Sequence, residues 1–292
     1  MGDPAKDPFV SVADPLDMER FQAALRTHSF ARMLRYTPSI ASTNADALIY
    51  LQQHAEPASL HGMAIIAEQQ TAGRGRRGRT WHSPAQGNIY CSVIVIPAPG
   101  TPQPTPWLSW VPLFSALAAA DCLSAHAGLA VSVKWPNDLL LGDKKLGGVL
   151  CEQTSTANRT LAIVIGIGLN INVSSDSFPH ELRGGATSLA VECGHPLDRA
   201  VILADLFYRL EQRMDRLRLE GPAGMVDEFT RRCATLGKRV QVILEPQGLV
   251  QGLAESIGAD GCLCLRLPSR TGSPEPDSLV EIRSADVVHL RG

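Results

Sequence analysis

Aromatic side chains make up only 5% of the 292 residues, and neither charge sign dominates: 27 Lys and Arg oppose 29 Asp and Glu, for a net charge of −2. A protein whose main task is to coat nucleic acid is usually basic, so this balance argues against that class while leaving room for a local basic site. The seven cysteines are odd in number and include no C-x-x-C pair, which indicates neither a disulfide framework nor a zinc ribbon. Cys262 and Cys264 share one face of an expected strand and read as small buried hydrophobes. None of the eight histidines belongs to an H-E-x-x-H motif. The N-terminus has no basic segment followed by an apolar run, so no secretory signal is expected. Nothing approaches ~18 uninterrupted apolar residues; the nearest, Leu161 to Leu169, is half as long and contains glycines. No internal repeat is visible. A cytoplasmic protein with no membrane span is the expectation.

What is present suits a globular chain. Hydrophobic residues reach 45% and charged residues 19%. Area scaling at this length lets roughly 73% of the unfolded surface be buried, a real core without disulfides or metal. The spacing predicts a helix from Asp17 to His28, a strand over Ala31–Tyr36, and a helix over Ala47–His54 with an N-cap in Ser42-Thr-Asn-Ala-Asp46. Buried strands are expected at Gly62–Glu68 and Asn88–Ile96, separated by a Gly/Arg-rich loop. A proline-rich loop spans 98–106, followed by an Ala/Leu-rich helix over Trp107–Ala127. Strands then crowd together at Ala130–Lys134, Asp138–Leu141, Leu146–Gln153 and Arg159–Asn172, with Gly142-Asp143 as a hairpin turn. Helices follow at Leu197–Leu219 and Ala223–Cys233. Short strands and turns fill the rest. This order predicts α+β architecture, not a doubly wound sheet, with a small C-terminal β-barrel. The expected division is a body over 1–236, whose residues 1–16 form a loose tail, and a barrel over 237–292.

Four local features carry chemistry. Gly73-Arg-Gly-Arg-Arg-Gly-Arg-Thr-Trp81 concentrates four arginines without an acid. Its glycines allow close backbone approach to a ligand, and guanidinium forks match carboxylates and phosphates. The spacing is neither a P-loop nor a dinucleotide-binding fingerprint; a solvated basic loop or an RGG-like tract is the plainer reading. In Lys134-Trp-Pro-Asn-Asp138 and Lys144-Lys-Leu-Gly-Gly-Val-Leu150, a strand–turn–strand can bring Asp138 and Lys145 together, a pairing suited to phosphate or Mg²⁺. It can equally be a hairpin with a surface lysine. Gly166-Ile-Gly-Leu-Asn170 puts glycines inside an apolar strand, which marks close approach of a ligand or of packed backbone. Ser42-Thr-Asn44 is by itself a helix cap.

Taken in order, Ser42-Thr-Asn44, the stretch Glu68-x-Gln-x-x-Gly-Arg-Gly-Arg-Arg-Gly-Arg-x-Trp81, Lys134-Trp-Pro-Asn-Asp138, Lys145-Leu-Gly-Gly-Val-Leu150 and Gly166-Ile-Gly-Leu-Asn170 resemble the biotin protein ligase family. The resemblance runs from Arg35 to the C-terminus, 258 of the 292 residues. It implies a mixed sheet flanked by helices, like that of class II aminoacyl-tRNA synthetases, and a small C-terminal SH3-like β-barrel. The implied reaction couples biotin and ATP, with Mg²⁺, to biotinyl-adenylate, then transfers biotin to a lysine of a biotin carboxyl carrier protein of the acetyl-CoA carboxylase type. By resemblance Lys145 is the chief electrostatic catalyst, with Arg76 and Asp138 beside it. Biotin is held by Ser42, Thr43, Asn44, Gln70, Gly73, Arg74, Gly75, Arg76, Lys145, Gly148, Gly166 and Gly168. ATP or adenylate falls to Arg74, Arg76, Arg79, Trp81, Lys134 and Asn170. Asp138 and Asn170 are the candidates for ordering Mg·ATP.

Some family members carry an N-terminal winged helix-turn-helix and act as repressors. Only 41 residues precede Ser42, and Asp3, Asp7, Asp14 and Asp17 make that segment acidic, wrong for phosphate contacts. A single-function ligase without DNA is therefore expected. The family includes monomers and homodimers, so oligomeric state stays open. The rivals are a lipoate–protein ligase or transferase of the same fold class, and a nucleic-acid-binding regulator using the arginine loop.

Overall fold

In the computed structural model the described residues are 15–85, 87–97, 106–155, 161–244, 248–268, 278–283 and 285–290. Most of the expected N-terminal tail and of the proline-rich loop lies outside them. Seven strands form one sheet: β1 (Leu34–Thr37), β2 (Ala64–Ala67), β3 (Ile89–Val95), β4 (Val131–Lys134), β5 (Asp138–Leu141), β6 (Lys144–Ser155) and β7 (Leu161–Leu169). Their order is β1-β2-β3-β7-β6-β5-β4. Only β1 and β2 run parallel; every other neighbour is antiparallel.

The two faces of this sheet are read directly from period-two alternation. Ile66, Val93, Ile163, Ile165 and Ile167 face a large core. Ile65, Ile94 and Val164 face a smaller one. On the larger side lie α1 (Met18–Ala24), α3 (Val111–Ala127), α5 (Arg199–Glu220) and α6 (Ala223–Arg232). On the smaller side lies α2 (Thr43–Gln53), through Ala47 and Leu51. A fully buried aliphatic or aromatic side chain contributes about 1.5–3 kcal/mol, and both clusters contain many.

The helix region Leu108–Ala127 is long and apolar enough, by composition, to cross a membrane. It is instead a core helix, buried between sheet and α5, because its apolar residues run around the whole cylinder. Gly128, at φ +66°, ends it. Leu16, assigned above to the loose tail, is also a correction: it is buried, and its N–H donates to Glu68 Oε1 at 2.6 Å. Tyr36 Oη donates to the same oxygen and Arg199 to Oε2, so a buried carboxylate ties the N-terminal segment, β1 and α5 together.

A short helix, α4 (Leu189–Cys193), was not anticipated; at five residues it is too short for periodicity to betray. The C-terminal strands β8 (Arg239–Leu244), β9 (Gly248–Ile257), β10 (Leu263–Leu267), β11 (Ser278–Ile282) and β12 (Asp286–His289) form a separate antiparallel sheet ordered β11-β10-β9-β8-β12. Two tryptophans stitch it to the body. Trp110 Nε1 donates to Ala259 O at 2.8 Å and Trp135 Nε1 to Gly261 O at 3.0 Å. All seven cysteines are free thiols.

Candidate active site

The smaller face of the main sheet changes character along β7. Val164 packs against α2, but the next two residues on that face are Gly166 and Gly168. Gly148 on β6 pairs with Gly168. The result is a side-chain-free floor. Over Gly166 lies the amide of Asn44: a Cβ there would sit 2.0 Å from Asn44 Oδ1. Over Gly168 lies the indole of Trp81, 2.6 Å from where a Cβ would be. At Gly148 an added Cβ would meet Asp138 and Lys145 atoms no nearer than 3.5 Å, ordinary contact. The protein's own packing therefore explains glycine at 166 and 168, not at 148. A cleft of about 360 Å³ opens above this floor.

One wall is the start of α2. Ser42 caps the helix, its side chain accepting from Ala45 N–H at 3.4 Å, and this sets Thr43 and Asn44 on the first turn, both buried. Gln70 Oε1 accepts from Thr43 N–H at 2.9 Å, and its Nε2 donates to Ser83 Oγ at 3.0 Å.

The roof is the Gly/Arg loop, closed as a small hairpin. Trp81 N–H donates to Gly73 O at 2.9 Å and Gly75 N–H to Arg79 O at 2.6 Å. Arg77 at φ +53° and Gly78 at φ +71° make the tip. The loop is not a free basic tract. Arg74 pairs with Glu152 at 2.5 Å. Arg76 donates to Asn137 Oδ1 and to Ala285 O, each at 3.2 Å. Arg77 donates to Ile243 O at 3.2 Å, and Arg79 pairs with Asp286 at 2.5 Å. Three of the four arginines thus reach the C-terminal sheet. Burial lowers the pKa of Arg76, but a guanidinium stays charged.

At the far end Lys145 Nζ pairs with Asp138 Oδ1 at 2.6 Å and lies 5.3 Å from the Trp81 ring centre. A bulge aims it there. Leu139 pairs with Gly147 but Leu140 with Lys145, leaving Leu146 as the extra residue. In a regular strand, 145 and 148 would face opposite sides; the bulge restores both to the cleft. Gly142, at φ +59°, opens the two-residue turn behind it.

The structure brings Ser42, Thr43, Asn44, Gln70, Arg74, Gly75, Arg76, Arg79, Trp81, Asp138, Lys145, Gly148, Gly166, Gly168 and Asn170 together in this lining. Gly73 lies at the loop base, where a Cβ would meet Ser83 Oγ and Trp81 O at 2.6 Å. Lys134 is not part of the lining; it pairs with Asp138 across β4 and β5, and burial lowers its pKa. Sequence reading missed Asn137, Phe178, Leu182 and Asp286, which line the cleft, and Ser92 and Glu152, which hold Asn44.

Asp138 Oδ1 is engaged by Lys145, and Asn170 Nδ2 donates to Thr187 O at 3.0 Å. What is left for a cation is a carboxylate oxygen and an amide oxygen. That set suits Mg²⁺ carried mainly by phosphates and water. A group of three metal-capable side chains, Cys122, His126 and Asp205, lies outside the cleft, and Arg26 and Arg209 already pair with its carboxylate.

A glycine floor lies under an arginine roof, with a lysine–aspartate pair at one end, an arrangement suited to an anionic ligand. A family model described as the biotin/lipoate A/B protein ligase family matches residues 36–170, and one described as the biotin protein ligase C-terminal domain matches residues 235–290. The biotin–[acetyl-CoA-carboxylase] ligase of Mycobacterium tuberculosis is 35% identical over 260 residues, 89% of this chain and 90% of its own length. That of Paracoccus denitrificans is 34% identical over 239 residues, 78% of this chain and 92% of its own. This chain therefore belongs to the biotin protein ligase family. The bifunctional ligase/repressor BirA of Bacillus spizizenii is 36% identical over 201 residues, 68% of this chain, which spans 58% of that relative's length. Among solved structures, the biotin protein ligase from Aquifex aeolicus in complex with biotin and ATP shares the fold, with TM-score 0.72, 24% identity, and coverage of 89% of this chain and 100% of that one.

Proposed function

We propose that this chain ligates biotin to a lysine of a biotin carboxyl carrier domain, through biotinyl-5′-AMP. The observation that carries this reading is Gly148. Protein packing does not require glycine there, yet it continues the floor beneath the arginine loop, as a flat bicyclic ligand needs.

In the first step a carboxylate oxygen of biotin attacks the α-phosphorus of ATP. The P–O bond to pyrophosphate breaks, and the mixed anhydride forms. Two anions must meet, so charge neutralisation and alignment dominate the barrier. Lys145, at the cleft end, supplies the cation, and Asp138 holds its ammonium in place. Mg²⁺ carried by ATP supplies further charge, with Asp138 and Asn170 the residues to hold it. In the second step the neutral carrier amine attacks the acyl carbon, the C–O bond to AMP breaks, and the amide nitrogen loses a proton. The anhydride hydrolyses in water, so the arginine loop acts as a cover, with Arg76 bridging Asn137 and Ala285, the residue before β12. Biotin's ureido group needs both donors and acceptors, which Ser42, Thr43 and Gln70 offer.

The proposed division places catalysis in residues 1–236 and leaves 237–292 as a clamp for the arginine loop. The proposed carrier is that of an acetyl-CoA carboxylase, the substrate named for the mycobacterial relative, in the cytoplasm. The test is ATP–pyrophosphate exchange. Exchange that depends on biotin and is not supported by lipoate is expected; lipoate-dependent exchange, or none, would refute the reading.

A further inference from the structure

Glu152 lies on β6 and is not one of the residues singled out by motif. Its Oε2 accepts from Asn44 Nδ2 at 2.8 Å and from Arg74 at 2.5 Å. It therefore joins the cleft wall to the roof. Asn44 Nδ2 has a second acceptor, Leu150 O at 3.1 Å. Two acceptors on one side of the amide fix its sense: nitrogen toward β6, oxygen toward Ser92. The reverse sense would press the amide oxygen against a carboxylate and a carbonyl.

The consequence runs on. Ser92 Oγ lies 2.6 Å from Asn44 Oδ1 and 2.7 Å from Thr43 Oγ1, and Ser92 is fully buried. A carbonyl oxygen carries no hydrogen, so the contact with Asn44 must use the single hydroxyl hydrogen of Ser92. The contact with Thr43 then needs the hydrogen of Thr43. Thr43 Oγ1 also lies 3.2 Å from Gln70 Oε1, but the 2.7 Å contact with Ser92 is the shorter and takes the one hydrogen. Thr43 Oγ1 is left with lone pairs for the cleft, and Gln70 Oε1 keeps the N–H of Thr43 as its donor.

We infer that Glu152 is a positioning residue that sets the hydrogen-bond polarity of the cleft wall, so that Thr43 presents an acceptor to an N–H of the ligand. This rests on the biotin reading, in which that N–H belongs to the ureido ring. Glu152 acts through Asn44 and Ser92. It is not among the residues lining the cleft, so its effect falls on biotin recognition rather than on chemistry.

The experiment measures KM for biotin, KM for ATP and kcat in pyrophosphate exchange for Glu152→Leu, Glu152→Gln, Ser92→Ala and the Glu152→Leu/Ser92→Ala double variant. Glu152→Leu is expected to raise KM for biotin about tenfold, the scale of one charge-assisted hydrogen bond; because it also frees Arg74, selectivity is read on Ser92→Ala, where kcat and KM for ATP stay within about twofold. Glu152→Gln keeps one oxygen able to accept from both Asn44 and Arg74, and restores most of the loss. Ser92→Ala breaks the same chain one link on and repeats the biotin effect; the double variant is no worse than the worse single, because both act on one relay. If Glu152→Leu does not fold, the Ser92→Ala and Glu152→Gln measurements still decide. An unchanged biotin KM in Glu152→Leu or Ser92→Ala, an effect on kcat alone, a glutamine variant as impaired as leucine, or additive losses would overturn the inference. Parent protein without biotin-dependent exchange would instead overturn the functional reading, and this inference with it.

Discussion

Two glycines on the same floor should respond oppositely to a single added methyl. In Gly166→Ala the new Cβ lies 2.0 Å from Asn44 Oδ1, so Asn44 must move by more than an ångström. It then loses good geometry with Leu150 O, Glu152 and Ser92. Overpacking costs about 1–3 kcal/mol, and one buried polar group left unpaired adds about 1–3 kcal/mol. The sum is about 2–6 kcal/mol, and for a chain of this size a drop in Tm on the order of 10 °C. In Gly148→Ala the nearest atoms, Asp138 Oδ1 and Lys145 Cε, are 3.5 and 3.6 Å away. Stability should stay within about 0.5 kcal/mol of the parent. The same methyl projects into the slot proposed for biotin, where overpacking of about 1–3 kcal/mol weakens biotin about 5- to 150-fold. Thermal melts and biotin titration calorimetry on both variants separate these effects. A Gly148→Ala protein that melts as low as Gly166→Ala, or that binds biotin as tightly as the parent, would refute the assignment of Gly148 to the ligand.

Lys145→Ala should depress biotin-dependent exchange by at least about a hundredfold, the usual scale for removing one preorganised charge; a near-normal rate would remove Lys145 from the catalytic set. Arg76→Gly cuts the bonds to Asn137 and Ala285 and should leave adenylate formation while raising its escape, measured as free biotinyl-AMP after rapid filtration; retention equal to the parent would contradict the cover. His289 is held at a pKa of about 4, against its ordinary 6.5, by burial and by the nearby Lys134 and Lys238. Its folded pKa is depressed, so between those values the unfolded chain binds more protons. The urea midpoint should therefore fall as pH drops from about 6.5 to about 4, and His289→Gln should flatten that window; an unchanged slope would show that other groups carry it.

Much of the body was legible because strong local signals coincide with tertiary ones. The step from Val164 to Gly166 and Gly168 marks in sequence where packing on α2 gives way to a cleft. Ser42 is both the helix cap and a part of the wall, because capping α2 is what positions Thr43 and Asn44. The turn at Gly142 announced the approach of Asp138 and Lys145, but the bulge at Leu146 that aims the lysine has no distinctive residue type. Glu152 and Asp286 reach their arginines across 78 and 207 positions, separations at which a glutamate or aspartate in a strand looks like any surface acid. Phe178 and Leu182 line the cleft from short turns after β7, too brief for periodicity. The helix expected over Trp107–Ala127 is realised as α3 over Val111–Ala127, because its apolar and alanine residues form one long run ending at Gly128.

The most direct test is the mass of an isolated biotin carboxyl carrier domain after incubation with this protein, biotin and ATP. A single biotinyl adduct on the carrier lysine, lost without ATP and lost with Lys145→Ala, is the predicted result. A carrier that stays unmodified, or one modified equally by Lys145→Ala, would contradict the account.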